Sequence, residues 1–177
     1  MSGHSHAKNV QHKKNAIDKK KSAVFGKLLK AITVSARSES NPEFNPTLRS
    51  AVDKAKQYNI PSDSIERAIK KSSEKDASQL EELTLEAYGP EGVAILITAI
   101  TDNSNRTIGE VKTILKKTDA KWAEPGSVLW AFAKNNNEWT PKFPQNISAE
   151  NLQKLNNLIE NLEDNDDITN IITSAKK

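Results

Sequence analysis

Cysteine is absent from this chain of 177 residues, and its histidines are His4, His6 and His12, all close to the N-terminus. Without cysteine the chain has no disulfides, thiolate nucleophiles or cysteine-ligated zinc, and it suits a reducing compartment. The rest of the chain has no imidazole, the side chain best suited to acid–base chemistry near neutral pH. No apolar run reaches the roughly 18 residues that a membrane-spanning helix needs, so we expect no membrane partner.

The sequence also lacks the side-chain sets of an enzyme or a metal site. No Ser/His/Asp set or carboxylate pair stands out, and the glycine-containing segment 88–93 lacks the Gly-Lys-Ser/Thr of a phosphate-binding loop. That segment predicts a tight turn between two strands. His4 and His6 form a His-x-His pair, but His12 is outside any regular ligand spacing, which favours contact with nucleic acid over metal binding. We therefore expect a non-enzymatic protein without cofactor or metal.

The lysine-rich N-terminus has no apolar segment, so it is not predicted to be a secretory signal. We expect a cytoplasmic protein of a bacterium. A mitochondrial matrix location is the alternative, and it would require a transit peptide that has already been removed.

Charge is divided unequally along the chain. Segment 1–75 holds 16 Lys and Arg against 7 Asp and Glu, whereas segment 76–177 holds 10 against 16. The first segment therefore carries a net charge of +9 and the second −6. A basic block of this size points to a polyanionic partner, of which nucleic acid is the commonest.

Patterning predicts a basic arm at residues 1–15 that is flexible until bound, and a helical domain at 16–78. A first helix is predicted over Ala16–Arg37, and a second begins at Pro46 with Asn45 as its N-cap. Asp63, with Glu66 three positions later, predicts the start of a third helix.

Residues 79–177 predict an α+β sandwich with helices on one face of a mostly antiparallel sheet. The apolar run Val93–Ile100 is typical of a buried strand. Further strands are predicted at 83–88, 128–132, 138–143 and 168–172, and two helices are predicted with Asn105 and Ser148 as their N-caps. The acids of residues 160–167 are interpreted as a solvated helix end.

Two further side chains are candidates for a second contact. Arg106 at a helix start opposes the helix dipole, which indicates an anion, either in the chain or on a partner. Trp139 follows three asparagines and is the best candidate for an exposed aromatic, whereas Trp130 lies in an apolar run and is assigned to the core.

Lysine dominates the predicted nucleic-acid-binding surface, and this favours phosphate contact with little sequence choice over bidentate base reading. Nine cations of the arm and first helix stand against one acid, whereas a solvated face normally mixes both signs. The predicted contact residues are His4, Lys8, His12, Lys13, Lys14, Lys19, Lys20, Lys21, Lys27, Lys30, Arg37, Arg49, Arg67, Lys70 and Lys71.

Read in order, several segments resemble the YebC/PmpR family, which includes the mitochondrial translational activator of cytochrome oxidase subunit I. The resemblance runs over residues 2–132. Its segments are Gly3-His4-Ser5, 12–14, 32–37, 45–52, 59–61, 65–71, 88–90, 92–94, Thr101-Asp102-Asn103, Asn105-Arg106-Thr107 and 126–132.

The resemblance implies an N-terminal helical domain, a middle α+β domain and a third domain inserted into the middle one. Only the short segment 133–147 separates Phe132 from Ser148, so this chain resembles a short member in which the inserted domain is missing there. It has His6-Ala7 where the family usually has Lys-Trp, which affects the contacts expected of the arm. Ser72 replaces a usual glycine and 118–120 a Gly-Gly turn, and these two changes are expected to alter loops only.

The family is linked to two functions: DNA-binding regulation of transcription, and ribosome-associated assistance to translation. The lysine-rich surface favours a translation factor bound to rRNA or tRNA, because no helix carries Arg, Asn and Gln at base-reading positions. A DNA-binding transcriptional regulator is the alternative. An enzyme acting on RNA is disfavoured because the chain beyond His12 has no histidine or cysteine and no carboxylate cluster stands out.

Overall fold

The computed structural model of the chain describes residues 4–74, 79–135 and 138–176, and for residues 4–19 it describes the backbone alone. The chain divides into two compact units, residues 1–71 and 72–177. Among the described residues, no helix combines the length and the apolar character needed to cross a membrane.

The first unit, here called the helical unit, contains three helices. They are α1 (His4–Ser35), α2 (Pro46–Gln57) and α3 (Ser62–Lys71). Apolar residues at helical spacing form its core: Leu28, Ile32, Ala36, Leu48, Val52, Ala55, Ile60, Ile65 and Ala68 are all buried. The three-helix domain predicted from the sequence is thus confirmed.

Two buried polar side chains hold the three helices together. Asn45 Oδ1 accepts a hydrogen bond from Leu48 N at 3.0 Å, which caps α2 as predicted. Its Nδ2 donates to the carbonyls of Ser35 and Glu39, each at 2.7 Å, and so fixes the end of α1 against the start of α2. Thr33 Oγ1 lies 3.0 Å from the carbonyl oxygen of Ala68 on α3.

Two predicted helix starts are wrong. Helix α1 begins at His4 rather than Ala16, since residues 4–15 contain neither glycine nor proline and continue the helix. The arm predicted at residues 1–15 is therefore helical from His4 onward, and residues 1–3 lie outside the described part. Helix α3 begins at Ser62, so Asp63 lies in its first turn instead of capping it.

The elements of the second unit, here called the α+β unit, are β1 (Glu81–Tyr88), β2 (Ala94–Thr101), α4 (Ser104–Lys117), β3 (Lys121–Ala123), β4 (Phe132–Asn135), β5 (Glu138–Pro141), α5 (Ala149–Glu163) and β6 (Ile168–Thr173). Four of the strands form an antiparallel sheet in the order β3-β1-β2-β6. A separate hairpin pairs β4 with β5. The predicted α+β class with an antiparallel sheet is confirmed.

Strand β2 is buried on both faces, as the unbroken apolar run predicts. Ile95 and Ile97 point toward α4 and α5, where they join Val111, Leu115 and Leu158 in the larger core. On the opposite face, Ala94 and Leu96 pack with Ala123, Val128, Ala131 and Phe132. Helices cover one face of the sheet, and segment 123–132 covers the other.

Two local predictions in this unit are corrected. The predicted strand at 128–132 is a 3-10 turn (Leu129–Ala131) followed by β4, and β3 was not predicted. Asn103, rather than Asn105, caps α4 by accepting from Arg106 N at 3.0 Å. Asp119 adopts φ +54° in the turn where the family has Gly-Gly, which explains why glycine suits that position.

Candidate nucleic-acid interface

Most of the predicted contact residues with described side chains are exposed on the helical unit. Lys20 and Lys21 stand out from α1, and Lys21 Nζ lies 5.6 Å from the centre of the Phe25 ring. Lys27 and Lys30 are half-buried. The exposed cations among the described side chains of this unit are Lys20, Lys21, Arg37, Arg49, Lys54, Lys56, Arg67, Lys70 and Lys71.

Two of the arginines also donate hydrogen bonds to backbone carbonyl groups of this unit. Arg49 donates from Nε to the Pro42 carbonyl at 3.0 Å and from Nη2 to the Glu43 carbonyl at 2.7 Å. Arg67 Nε donates to the Asp63 carbonyl at 3.1 Å within α3. Both guanidiniums therefore have a structural role, and both side chains are exposed.

Four of the exposed lysines have an explanation that requires no partner. Lys54, Lys56, Lys70 and Lys71 lie in the last turns of α2 and α3, where a cation is stabilised by the negative end of the helix dipole. Lys20 and Lys21 stand far from either end of α1, so the dipole does not account for them. Their exposure is the stronger indication of an anionic partner.

Helices α2 and α3 are joined by a short turn, as in a helix-turn-helix, but α3 has the wrong charge for reading bases. A recognition helix contacts base edges with its N-terminal residues. In α3 these include the exposed acids Asp63 and Glu66, and the cations Lys70 and Lys71 come at the other end. The charges of α3 therefore do not fit the role of a recognition helix.

Six predicted contact side chains lie outside the described part: His4, Lys8, His12, Lys13, Lys14 and Lys19. Their roles stay predictions. Among the side chains that the structure describes, no group of three His, Asp or Glu could hold a metal ion.

Arg106 has its anion within the chain, one of the two alternatives that the sequence left open. Its Nη2 lies 2.9 Å from Asp167 Oδ2 and 2.8 Å from Asp102 Oδ1. The hydrogen bond to Asp167, helped by that to Asp102, raises the pKa of Arg106 further above its ordinary value. The Arg106 guanidinium already pairs with two carboxylates of its own chain. The structure therefore does not support the prediction that Arg106 contacts a binding partner.

Asp167 is the centre of the hydrogen-bond network around Arg106. The sequence analysis had assigned it to the solvated acidic end of a helix. It is buried, and its Oδ2 accepts from Thr107 Oγ1 at 2.8 Å and Thr101 Oγ1 at 3.1 Å as well as from Arg106. The network joins the end of β2, the start of α4 and the start of β6. Nothing in the sequence distinguishes one buried carboxylate from the exposed acids next to it. The only hint is that Asp167 directly precedes a predicted strand.

The tryptophan assignments are reversed in the structure. Trp130 is 64% exposed, whereas Trp139 is half-buried against the cluster around Phe132, with Lys134 Nζ 5.6 Å from its ring centre. The cause is Glu86, a buried carboxylate that accepts from the backbone N–H groups of Gly126, Val128 and Leu129 at 2.5, 2.6 and 2.9 Å. These bonds bend the chain into a turn and direct Trp130 outward.

The comparisons agree with the division into two units. A family model described as the TACO1/YebC protein N-terminal domain matches residues 5–75. A second, described as the TACO1/YebC second and third domain, matches residues 80–137. The second match ends between β4 and β5.

Two relatives illustrate the extent of the similarity. The chain is 44% identical over 99% of its length to a "probable transcriptional regulatory protein" of Petrotoga mobilis, and it covers 71% of that protein. It is 49% identical over 76% of its length to a protein of the same description from Geobacter sulfurreducens, of which it covers 55%. The chain thus spans about half to seven tenths of these relatives.

A solved structure has the same fold. The crystal structure of a conserved hypothetical protein from Aquifex aeolicus superposes with a TM-score of 0.77 at 29% sequence identity. The match covers 88% of this chain and 90% of that one.

Proposed function

Since this chain belongs to the TACO1/YebC family, we propose that it is a non-enzymatic regulator of gene expression that binds nucleic acid through its helical unit. The supporting observation is the set of exposed lysines and arginines on that unit, above all Lys20 and Lys21 at mid-helix. Cations held on a rigid helical frame bind a polyphosphate backbone with little sequence choice.

The version that we favour is a ribosome-associated translation factor that binds RNA. Lysine presents a compact charge without the planar fork of arginine, which suits phosphate contact. The acidic start of α3 further argues against insertion of that helix into a DNA major groove.

A DNA-binding transcriptional regulator is the second candidate. It is favoured by the description that the Petrotoga and Geobacter relatives share. Both candidates need the same basic surface, and they differ in the nucleic acid that occupies it.

The first prediction concerns this surface. Lys19/Lys20/Lys21→Glu should weaken binding of the full chain to RNA and DNA by at least tenfold at about 50 mM salt, because it removes three cations and adds three anions. The readout is fluorescence anisotropy with labelled oligonucleotides. Lys116/Lys117/Lys176→Glu is the matched control, since it makes the same charge change at exposed lysines of the α+β unit.

The proposal would be contradicted if Lys19/Lys20/Lys21→Glu bound the oligonucleotides as tightly as the wild type. It would also be contradicted if both triple variants lost the same affinity, because that loss would reflect net charge alone.

Sucrose-gradient sedimentation of lysate then separates the translation factor from the DNA-binding regulator. Co-migration with ribosomes at low salt that is lost at high salt supports the translation factor. Protein that stays at the top of the low-salt gradient supports the DNA-binding regulator, and a genome-wide DNA footprint follows.

A further inference from the structure

Three exposed aromatic side chains gather at one edge of the α+β unit. Trp130 is 64% exposed, Phe143 62% and Tyr88 36%. The Trp130 and Phe143 ring centres lie 5.9 Å apart, with the ring planes inclined at 47°. Tyr88 Oη and Trp130 Nε1 both donate to the carbonyl oxygen of Ser127, at 3.0 and 2.8 Å, which brings the third ring to the same place. We call these three residues the aromatic patch.

The patch is held in position from beneath. The buried Glu86 carboxylate fixes the turn at 126–129, and the Ser127 carbonyl anchors two of the three rings through their polar atoms. Lys142 N donates to the Ala131 carbonyl at 2.8 Å, which attaches the chain before Phe143 to the same turn. The rings are thus preorganised, and little conformational entropy is lost when a ligand covers them.

Two lysines lie next to residues of the patch. Lys142 Nζ donates to the Trp130 carbonyl at 3.1 Å. Lys121 is paired directly with Tyr88 across β1 and β3, so the two side chains leave the same face of the sheet. Both lysines are exposed, and an exposed acid, Glu124, lies near the turn. An aromatic surface with neighbouring ammonium groups matches a base with its phosphates.

We infer that the aromatic patch stacks an unpaired base of a single-stranded nucleic acid, while Lys121 and Lys142 contact neighbouring phosphates. The occupant is argued from charge: the lysines next to the rings complement a phosphate backbone, and the rings offer a stacking surface to a base. The inference rests on the proposed function and adds a second contact, on the α+β unit, that selects unpaired strands over duplex.

The test uses the full chain, 12-nucleotide single strands of RNA and DNA of the same sequence, and an RNA duplex. Trp130→Ala should weaken single-strand binding by about tenfold, the loss typical of one stacked base, and change duplex binding by less than about twofold. Trp130→Phe should retain most of the affinity, because a phenyl ring still stacks. Leu152→Ala, which trims another exposed apolar side chain of this unit, is the control. The thermal midpoint of each variant shows that it folds.

Wild-type affinity of Trp130→Ala for both single strands would overturn the inference and leave the proposed function intact. Failure of the wild type to bind any of the three probes would instead remove the proposed function itself. An equal loss on duplex and single strands would exclude stacking. Dimerisation of the wild type that Trp130→Ala abolishes would assign the patch to a second copy of the chain and also overturn the inference. The difference in affinity between the RNA strand and the DNA strand shows whether the stacked base belongs to RNA or to DNA.

Discussion

The Glu91 side chain holds the N-terminus of α5 in place, although Glu91 itself lies outside that helix. It lies in the turn between β1 and β2 with φ +55°, and its Oε1 accepts from Ser148 Oγ at 2.8 Å, Ser148 N at 3.2 Å and Asn151 Nδ2 at 2.6 Å. The hydrogen bond from Asn151, followed by those from Ser148, lowers the pKa of Glu91. One side chain thereby fixes the start of α5 to the turn.

Glu91→Gln should make the protein less stable near neutral pH and remove part of its acid sensitivity. Because the folded-state pKa lies below the unfolded value of about 4.3, the stabilisation is present above that value and is lost as pH falls through the folded pKa. The difference in urea midpoint between variant and wild type should therefore shrink from pH 6 to pH 3. Glu82→Gln removes an exposed carboxylate from the same unit as a control. A difference that does not change with pH would refute this role.

At the scale of elements, the sequence correctly predicted helices and strands that a local pattern of neighbouring residues specifies. The cap at Asn45 with Pro46, the double-sided burial of β2 and the cap at Ser148 are local patterns, and each is confirmed. Segment 128–132 was misjudged because its shape depends on Glu86, which lies on β1 and far away in the sequence. Apolar content cannot distinguish a strand from a turn that a distant carboxylate holds. Trp130 and Trp139 were exchanged for the same reason.

The junction of β2, α4 and β6 depends on Asp167. Asp167→Asn should lower the free energy of unfolding by about 2 kcal/mol, because the neutral amide that replaces the carboxylate removes the charge that pairs with Arg106 and weakens the hydrogen bonds from the two threonine hydroxyls. Urea denaturation at pH 7 measures this change. Asp164→Asn, at the exposed end of α5, is the matched control. Equal stability of the two variants would show that the network contributes little.

At the scale of the whole molecule, charge separates the chain into a basic part and an acidic part, with +9 on segment 1–75 and −6 on segment 76–177. The sequence alone established this division, and it is the basis of the proposed function. Which cations are exposed, and which merely complement a helix end, became visible only with the helices in place.

Binding should therefore respond steeply to salt. If six or more of the exposed cations contact phosphate, affinity for RNA should fall by roughly a thousandfold between 50 and 200 mM salt. Each single Lys→Gln change at Lys20 or Lys21 should reduce the slope of log K against log salt by about 0.7 to 0.9. Anisotropy titrations at four salt concentrations measure this slope. A nearly flat salt response would contradict a phosphate-based interface.

The β4–β5 hairpin has a consequence for how such chains change over evolutionary time. Asn135 and Glu138 are paired across the two strands, so these two residues lie next to each other at one end of the hairpin. The match to the second-and-third-domain family model ends here, at residue 137. A module with adjacent termini could be gained or deleted at this point by a single genetic event, while the four-stranded sheet and its two cores stay as they are.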